Sequence, residues 1–495
     1  KEQVRDIISD VKAQVKKVNL MKLEEQKKEY ETLSSQVTKR EEREGLPELK
    51  NVRIGKVVMR LAPYPSGAMH IGNAKTYLLN AIYAERYKGK LLFVMDDTIG
   101  SKEKSIAKDA YKLIPEAFDW LNVKYKKPII YKSDRLKIYY EYAEKLIKLG
   151  MAYVCSCSQK KLHDNRELGK ECSCRVFPVK EQEKRWKEMF KAKEKDFTLR
   201  IKTGMQNKNP AFRDRVLFRI SDAVHPRIGK KYRVWPVLEF SWAIDDHLLG
   251  ITHILRGKDL MIETDMENFI WDIFKWNRPQ VLHAGLVRLE GIGAKISKSK
   301  AQKEVASGQF TGWDDPRTWS VQSLKRRGFL PESIRTFVES IGLNQNDITI
   351  PIESLYAINR KIIDKDADRY SFIQNPVKLN IENMPSIEEV EIKIHPDKEE
   401  KRKVGVGKEV FIARGDYEKF LGKEIRLMHL FNVKLEKSSA RFTTIENKDV
   451  PRMQWVSDFA STRVLMPDGS WVQGFAEAGI KNLKISLISA ILKKF

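Results

Sequence analysis

Helical stripes and short apolar runs alternate along most of this chain, and the alternation changes character twice. Residues 1–50 are rich in Lys and Glu, with Val, Ile and Leu at helical spacing, which predicts one or two exposed helices. Val57-Val58-Met59 is an apolar run of the kind that forms a buried strand. A helical stripe follows through Ala74, Tyr77, Leu78, Ala81, Ile82 and Glu85, with Gly89 as its stop signal. Leu91–Met95 predicts a second strand, and Asp96-Asp97 sits at its end, where ligands bind in open α/β sheets. Another helix is predicted through Tyr139, Tyr142, Ala143, Leu146 and Leu149, closed by Gly150. Residues 151 to about 230 interrupt this pattern, hold every cysteine and read as an insertion. Alternation resumes with Ile251–Leu255 and the helix around Met266–Phe274. Ser320–Gly328, Pro331–Ile341 and Pro351–Lys361 predict helices. From Glu389 the period becomes two, with Val390, Ile392 and Ile394 alternating with polar residues. Val410–Ala413, Glu424–Leu427, Val464–Met466 and Gln473–Phe475 predict further short strands.

These shifts divide the chain. An N-terminal helical extension covers 1–50, and a doubly wound α/β domain has halves at 51–150 and 231–304 around the insertion at 151–230. A helical region follows at 305–385, then a β region at 386–495. Composition adds a partner to this picture. Lys and Arg number 92 against 67 Asp and Glu, so the net charge is +25. A small-molecule enzyme has no need of such a charge, whereas nucleic acid rewards it by counterion release. Solvated surface lysine is the blander explanation. No run of ~18 apolar residues appears, so no membrane span is predicted and the expected compartment is the cytoplasm.

Two signatures carry chemistry. In Pro63–Asn73, P-Y-P-S-G-A-M-H-I-G-N, the residues Pro65, Ser66 and Gly67 make a tight turn after the strand. Gly72 lets the backbone approach a flat or anionic ligand. The helix N-terminus offers N–H groups to phosphate, and His70 can donate to a phosphate oxygen. In Lys295–Ser299, K-I-S-K-S, the lysines Lys295 and Lys298 place ammonium groups where charge grows on departing pyrophosphate, and Ser297 and Ser299 add hydroxyl donors. Alone, the second string reads as a basic surface loop. Together the two describe a site that holds ATP from two sides.

The four cysteines, Cys155, Cys157, Cys172 and Cys174, form two C-x-C pairs within 20 residues. Four thiols so spaced suit tetrahedral Zn²⁺ and leave no open position, so the metal would be structural. Asp96 and Asp97 offer a carboxylate for an α-amino group and another for a ribose or a structural partner. Arg60 and Arg256 end strands and are expected to face one crevice. Two guanidiniums suit a substrate with two carboxylates; ion pairing is the simpler role for each.

With these residues in view, the chain resembles a class I aminoacyl-tRNA synthetase, and more narrowly an archaeal-type glutamyl-tRNA synthetase. The two signatures correspond to that family's H-I-G-H and K-M-S-K-S motifs. The stretches Tyr131–Arg135, Ile244–Asp259, Trp313–Arg317 and Leu324–Gly328 match as well. The resemblance runs from about 53 to about 475. It implies a Rossmann catalytic domain split by a zinc-bearing insertion (151–230) that grips the tRNA acceptor end. It implies a helical stem-contact region (305–385) and C-terminal β-barrel anticodon-binding domains (386–495). The implied substrates are L-glutamate, ATP with Mg²⁺ and tRNA(Glu), with charging of tRNA(Gln) left open, and the default assembly is a monomer. Position by position, Arg60 would bind the glutamate side-chain carboxylate and Asp96 its α-amino group. Arg256 matches the arginine that distinguishes glutamyl from glutaminyl enzymes. His70, Lys295 and Lys298 would be catalytic, and Gly67, Gly72, Asn73 and Ser297 would complete the ATP site. The chain departs from the family at Asn73, which replaces the second histidine of the first motif, and at Tyr64, Val94, Ile99 and Leu238, the last followed by Trp242. Its tail, Ile485–Phe495, lacks the usual closing strands. The alternatives are a glutaminyl-tRNA synthetase and a synthetase-derived tRNA-binding protein without catalysis.

Overall fold

The computed structural model describes residues 2–33, 45–99, 105–291 and 298–482. Residues 1–47 and 48–495 form two separate compact units. The first contains helices Glu2–Leu20 and Leu23–Leu33. Its apolar residues Ile7, Ile8, Val11, Val15 and Val18 are exposed, as the lysine- and glutamate-rich stripe predicts.

The second unit starts with three parallel strands, β1 (Val58–Leu61), β2 (Lys90–Met95) and β3 (Lys126–Tyr131), in the order β1-β2-β3. The insertion follows as a four-stranded antiparallel sheet of β4 (Ala152–Cys155), β5 (Thr198–Ile201), β6 (Val216–Ile220) and β7 (Val234–Pro236), six residues beyond the expected boundary. Then β8 (His253–Gly257) and β9 (Gln280–Ala284) pair in parallel. The Thr252 amide donates to the Val58 carbonyl at 2.9 Å, and the Thr252 hydroxyl accepts from the Val58 amide at 2.9 Å. These bonds seat the start of β8 beside β1. The chain leaves the sheet after Tyr131 and returns about 120 residues later beside β1, which places both halves of the doubly wound domain at one set of strand ends. Met59, Leu61, Phe93, Val94 and Met95 are buried along β1 and β2, as fits a parallel sheet covered on both faces.

The C-terminal sheet has six strands, in the order Glu409–Ala413, Pro376–Glu382, Ser439–Thr444, Asn432–Leu435, Glu424–Leu427 and Arg452–Met453. Val456 then bridges back to Phe411 of the first of these, with amide bonds of 2.8 and 3.1 Å, and the sheet nearly closes into a barrel. Leu379, Val410, Ile412, Ile425, Leu427, Val433, Leu435 and Ala440 fill its interior. Strand structure begins at Phe372–Gln374 and Pro376–Glu382, inside the span 305–385 that reads as helical. Val377, Leu379 and Ile381 alternate with polar residues there, and pairing on both edges selects the extended form over the helix. Ile348–Pro351 is likewise a strand, paired with Val287–Glu290.

Candidate amino-acid and nucleotide site

The first signature lies where β1 turns into helix Ile71–Arg86. His70 caps that helix, and its Nδ1 accepts the Gly72 amide at 3.1 Å. A Cβ on Gly72 would lie 3.0 Å from the His70 ring, so glycine here makes room for the cap. Gly67 has φ +125°, and a side chain on it would strike the Trp313 ring at 2.5 Å. Trp313 belongs to the W-D-D-P-R stretch, and its indole donates to Asp109 at 2.6 Å. The amide of Val321, which opens the helix after that stretch, donates to the carbonyl of Met69 at 2.8 Å.

Lys295 and Ser297 lie outside the described residues. Lys298 opens helix Lys298–Ala306. Ala301 of that helix packs with Ala68 of the first signature and with Trp313 in one buried cluster. Segments more than 200 residues apart in sequence thus share one face of the molecule. Asn73 is half-buried in the first turn of its helix, with its amide on the His70 carbonyl at 3.0 Å.

At the end of β2 the two aspartates have different surroundings. Asp97 is a buried hub: its carboxylate accepts the Ser133 amide at 2.8 Å, the Ser133 hydroxyl at 2.7 Å and the Tyr111 hydroxyl at 3.0 Å. Asp96 accepts the Trp242 indole N–H at 3.1 Å and the Thr98 hydroxyl at 3.2 Å, and lies 3.3 Å from the Lys132 ammonium. Asp97 is therefore the structural partner of the pair. Asp96 is the one held beside a cation and an indole.

Arg60 and Arg256 are both buried, on the adjacent strands β1 and β8. Each is paired with a carboxylate, unlike the free guanidiniums a dicarboxylate clamp calls for. Arg60 makes a bidentate pair with Asp246, with Nη2 to Oδ2 at 2.8 Å, and its guanidinium lies 3.5 Å from the Trp242 ring centroid. Arg256 pairs with Glu267, with Nη1 to Oε1 at 2.8 Å, and donates from Nη2 to the Thr264 hydroxyl at 2.7 Å. The acids come from helices Leu238–Leu248 and Met261–Ile273, whose facing sides the sequence pattern does not reveal. Burial pushes the Glu267 carboxyl upward, and the Arg256 charge opposes that shift. Arg256 Nε is buried with no partner among the described residues.

Lys132, Trp242, Asp246 and Glu267 are the buried partners of Asp96, Arg60 and Arg256, and the sequence pattern assigns none of them a role. Lys132 and Asp246 carried one available signal: they lie within Tyr131–Arg135 and Ile244–Asp259, stretches already matched to the family.

His225 backs this site. Its Nε2 lies 2.8 Å from the Asp97 carbonyl oxygen, so Nε2 carries the proton and donates. Its Nδ1 accepts from the amides of Arg227 and Ile228 at 3.1 and 3.3 Å. A second proton, on Nδ1, would point at two N–H donors. Burial holds the imidazole below its ordinary value, against the pull of Asp97 and Asp134 and with the help of Arg227. The folded pKa is thus below the unfolded value of about 6.5, and the neutral ring contributes stability that is lost as pH falls below that value. The unfolding midpoint of the wild type should drop from about pH 7.5 to about pH 5.5, and that of His225→Gln should drop less. Equal drops would show that another group carries the dependence.

In the insertion, the Sγ atoms of Cys155, Cys157, Cys172 and Cys174 all lie within 4.8 Å of one another. Cys155 and Cys172 are 3.7 Å apart, close to the roughly 3.8 Å that tetrahedral Zn–S bonds of about 2.3 Å require. The Cys155 hydrogen bond, with the Arg200 guanidinium 4.0 Å away, draws the Cys172 thiol down, while the same contact and burial push Cys155 up and burial pushes Cys157 up. Four sulfur donors at this spacing fit a tetrahedral dication.

A parallel sheet thus carries a capped helix at its strand ends, and helix Lys298–Ala306, which follows the second signature, packs on the same face. Comparison with known proteins narrows this. Residues 56–365 match the family model for the catalytic domain of class I tRNA synthetases (E and Q), and 367–448 match its anti-codon binding domain. The chain is 40% identical to the glutamate–tRNA ligase of Methanosphaera stadtmanae, over 95% of this chain and 86% of that one. It is 38% identical to that of Methanocaldococcus jannaschii, over 98% and 88%. A crystal structure of a glutamate tRNA ligase from Elizabethkingia meningosepticum aligns with TM-score 0.47 and 19% identity, over 63% of this chain and 70% of the other. The chain belongs to the class I tRNA synthetases for glutamate and glutamine.

Proposed function

We propose that this protein is a glutamate–tRNA ligase. It activates L-glutamate with Mg-ATP to glutamyl-adenylate and transfers the glutamyl group to the 3′ end of tRNA(Glu). The observation that supports this reading best is the packing of helix Lys298–Ala306, which follows the second signature, against Ala68 of the first, whose Pro63 carbonyl accepts the Asp96 amide at 3.0 Å. The archaeal relatives named above support glutamate as the amino acid. Arg256 supports it too, through its unpartnered Nε on the strand seated beside that of Arg60.

In this reading no side chain attacks the substrate. The glutamate carboxylate attacks the α-phosphate of ATP and pyrophosphate leaves. The terminal ribose hydroxyl of tRNA then attacks the activated carbonyl, and the adenylate leaves. His70, Lys295 and Lys298 stabilise the phosphate charge, and Gly67, Gly72, Asn73 and Ser297 line the nucleotide. Asp96 holds the α-ammonium, and Arg60 with Arg256 faces the side-chain carboxylate. Polar discrimination of a charged side chain is strong enough to need no editing step. The domain limits follow the same reading: catalytic halves 51–150 and 231–304, acceptor-binding insertion 151–230, stem contacts 305–385 and an anticodon-binding region 386–495. The surplus of 25 positive charges suits a tRNA partner.

Cys155, Cys157, Cys172 and Cys174 would hold a structural Zn²⁺, which staples the loop between β4 and helix Val179–Met189. Cys172→Ser is expected to lower metal content from about one zinc per chain toward zero and to loosen the insertion. Atomic emission on purified protein, with proteolysis of the insertion, measures both. Full zinc content in the variant would rule out this ligand set.

The reading is tested by tRNA-dependent exchange of pyrophosphate into ATP with glutamate and with glutamine in parallel. Exchange with glutamate and tRNA(Glu) is expected. Exchange with glutamine alone would favour the glutaminyl alternative.

A further inference from the structure

Lys132 is fully buried, and its ammonium has three neighbours: the Ser241 hydroxyl at 2.7 Å, an Asp96 oxygen at 3.3 Å and the Trp242 ring centroid at 3.5 Å. Burial pushes its pKa down, against Asp96, Asp245 and Asp246. Four cations and four anions meet around this pocket, each with one partner: Arg60 with Asp246, Lys132 with Asp96, Arg135 with Asp245, and Arg256 with Glu267. Three of these pairs have a contact of 2.7 Å or less. The Lys132–Asp96 pair is the loosest.

An amino acid entering this pocket brings an ammonium and a carboxylate on the same carbon. If its ammonium takes Asp96, the ammonium of Lys132 loses its carboxylate within a buried site, which is costly unless another anion replaces it. The substrate's own α-carboxylate lies two bonds from its ammonium and is that anion. Inserting a zwitterion into an ion pair leaves the net charge of the pocket unchanged. Trp242 holds the other Asp96 oxygen, so the aspartate stays in place while the flexible lysine moves.

We propose that Lys132 is the ligand of the substrate's α-carboxylate, exchanging Asp96 for it as the amino acid binds. This rests on the reading of Asp96 as the α-ammonium site. Lys132 thereby orients the carboxylate that attacks ATP, and it selects for α-amino acids over amines that carry only the side-chain carboxylate.

The test uses the full chain with tRNA(Glu) transcript and ATP. It compares glutamate with 4-aminobutyrate, which is glutamate without its α-carboxylate, as a competing inhibitor. Lys132→Met should raise the KM for glutamate by roughly 10- to 100-fold, while the KM for ATP and the inhibition constant of 4-aminobutyrate stay within about threefold. Lys132→Arg, which keeps a carboxylate donor, should recover much of the loss. An equal rise for glutamate and 4-aminobutyrate, or no rise for either, would overturn the assignment and leave Lys132 a structural counter-ion. If Lys132→Met does not fold, a crystal structure of the wild-type chain with glutamate decides: the ammonium belongs on the α-carboxylate, and an ammonium still on Asp96 overturns the proposal. Should glutamine prove to be the amino acid charged, the glutamate reading fails by itself. Glutamine and 4-aminobutanamide then differ by the same α-carboxylate and test Lys132 in the same way.

Discussion

Asp96→Asn is expected to lower kcat/KM for glutamate by roughly a hundred- to a thousandfold, with the KM for ATP nearly unchanged. The substitution is isosteric. The amide oxygen can still accept the Trp242 indole, so the local fold has what it needs. What disappears is a buried negative charge opposite an incoming ammonium. Losing one partner of a buried charge pair costs about 3–5 kcal/mol, and each 1.4 kcal/mol is tenfold. The variant also leaves Lys132 without its carboxylate, so a modest loss of stability accompanies the loss of activity. Steady-state kinetics at saturating tRNA separates the two, because a stability effect alone lowers the active fraction without moving the KM for glutamate. Unchanged kinetics would remove Asp96 from the substrate site.

Asp97→Ala should act on the fold instead. The carboxylate serves the Ser133 amide and hydroxyl and the Tyr111 hydroxyl, with Arg227 3.6 Å away. Truncation leaves buried donors without acceptors and a half-buried guanidinium short of charge. Each orphaned donor costs about 1–3 kcal/mol, and the expected total is about 4 kcal/mol or more. Asp97→Asn, which keeps one acceptor, should lose less. Chemical unfolding followed at the tryptophans of the catalytic region reads the difference. A change within about 0.5 kcal/mol, as for a surface residue, would contradict the hub.

The contrast between these neighbours shows where sequence reading stops. That both aspartates end a strand was legible, because Leu91–Met95 is a continuous apolar run and its end is fixed by polarity. Which of the two is the buried structural hub was not legible from polarity, and Asp96 was assigned to the α-amino group only by the family resemblance, since their partners lie far along the chain: Ser133 is 36 residues from Asp97, and Trp242 is 146 residues from Asp96. The same limit hid the acids opposite Arg60 and Arg256. Asp246 and Glu267 sit on helices that carry several polar residues each, so periodicity does not say which of them turns inward. His70 and Gly67 were legible because turn and cap chemistry is local. The strand Pro376–Glu382 was legible in principle, through Val377, Leu379 and Ile381, and was lost to the helical texture before it. The four cysteines were the clearest case, since two C-x-C pairs on a short loop can converge almost regardless of the fold around them.

The most direct measurement is charging of radiolabelled glutamate and glutamine onto separate tRNA(Glu) and tRNA(Gln) transcripts, with ATP and Mg²⁺ and zinc-loaded protein. The account predicts glutamyl-tRNA(Glu) and no glutaminyl product. Glutamate on tRNA(Gln) as well would make the enzyme non-discriminating within the same account. Glutaminyl-tRNA, or no charging by folded protein, would contradict it.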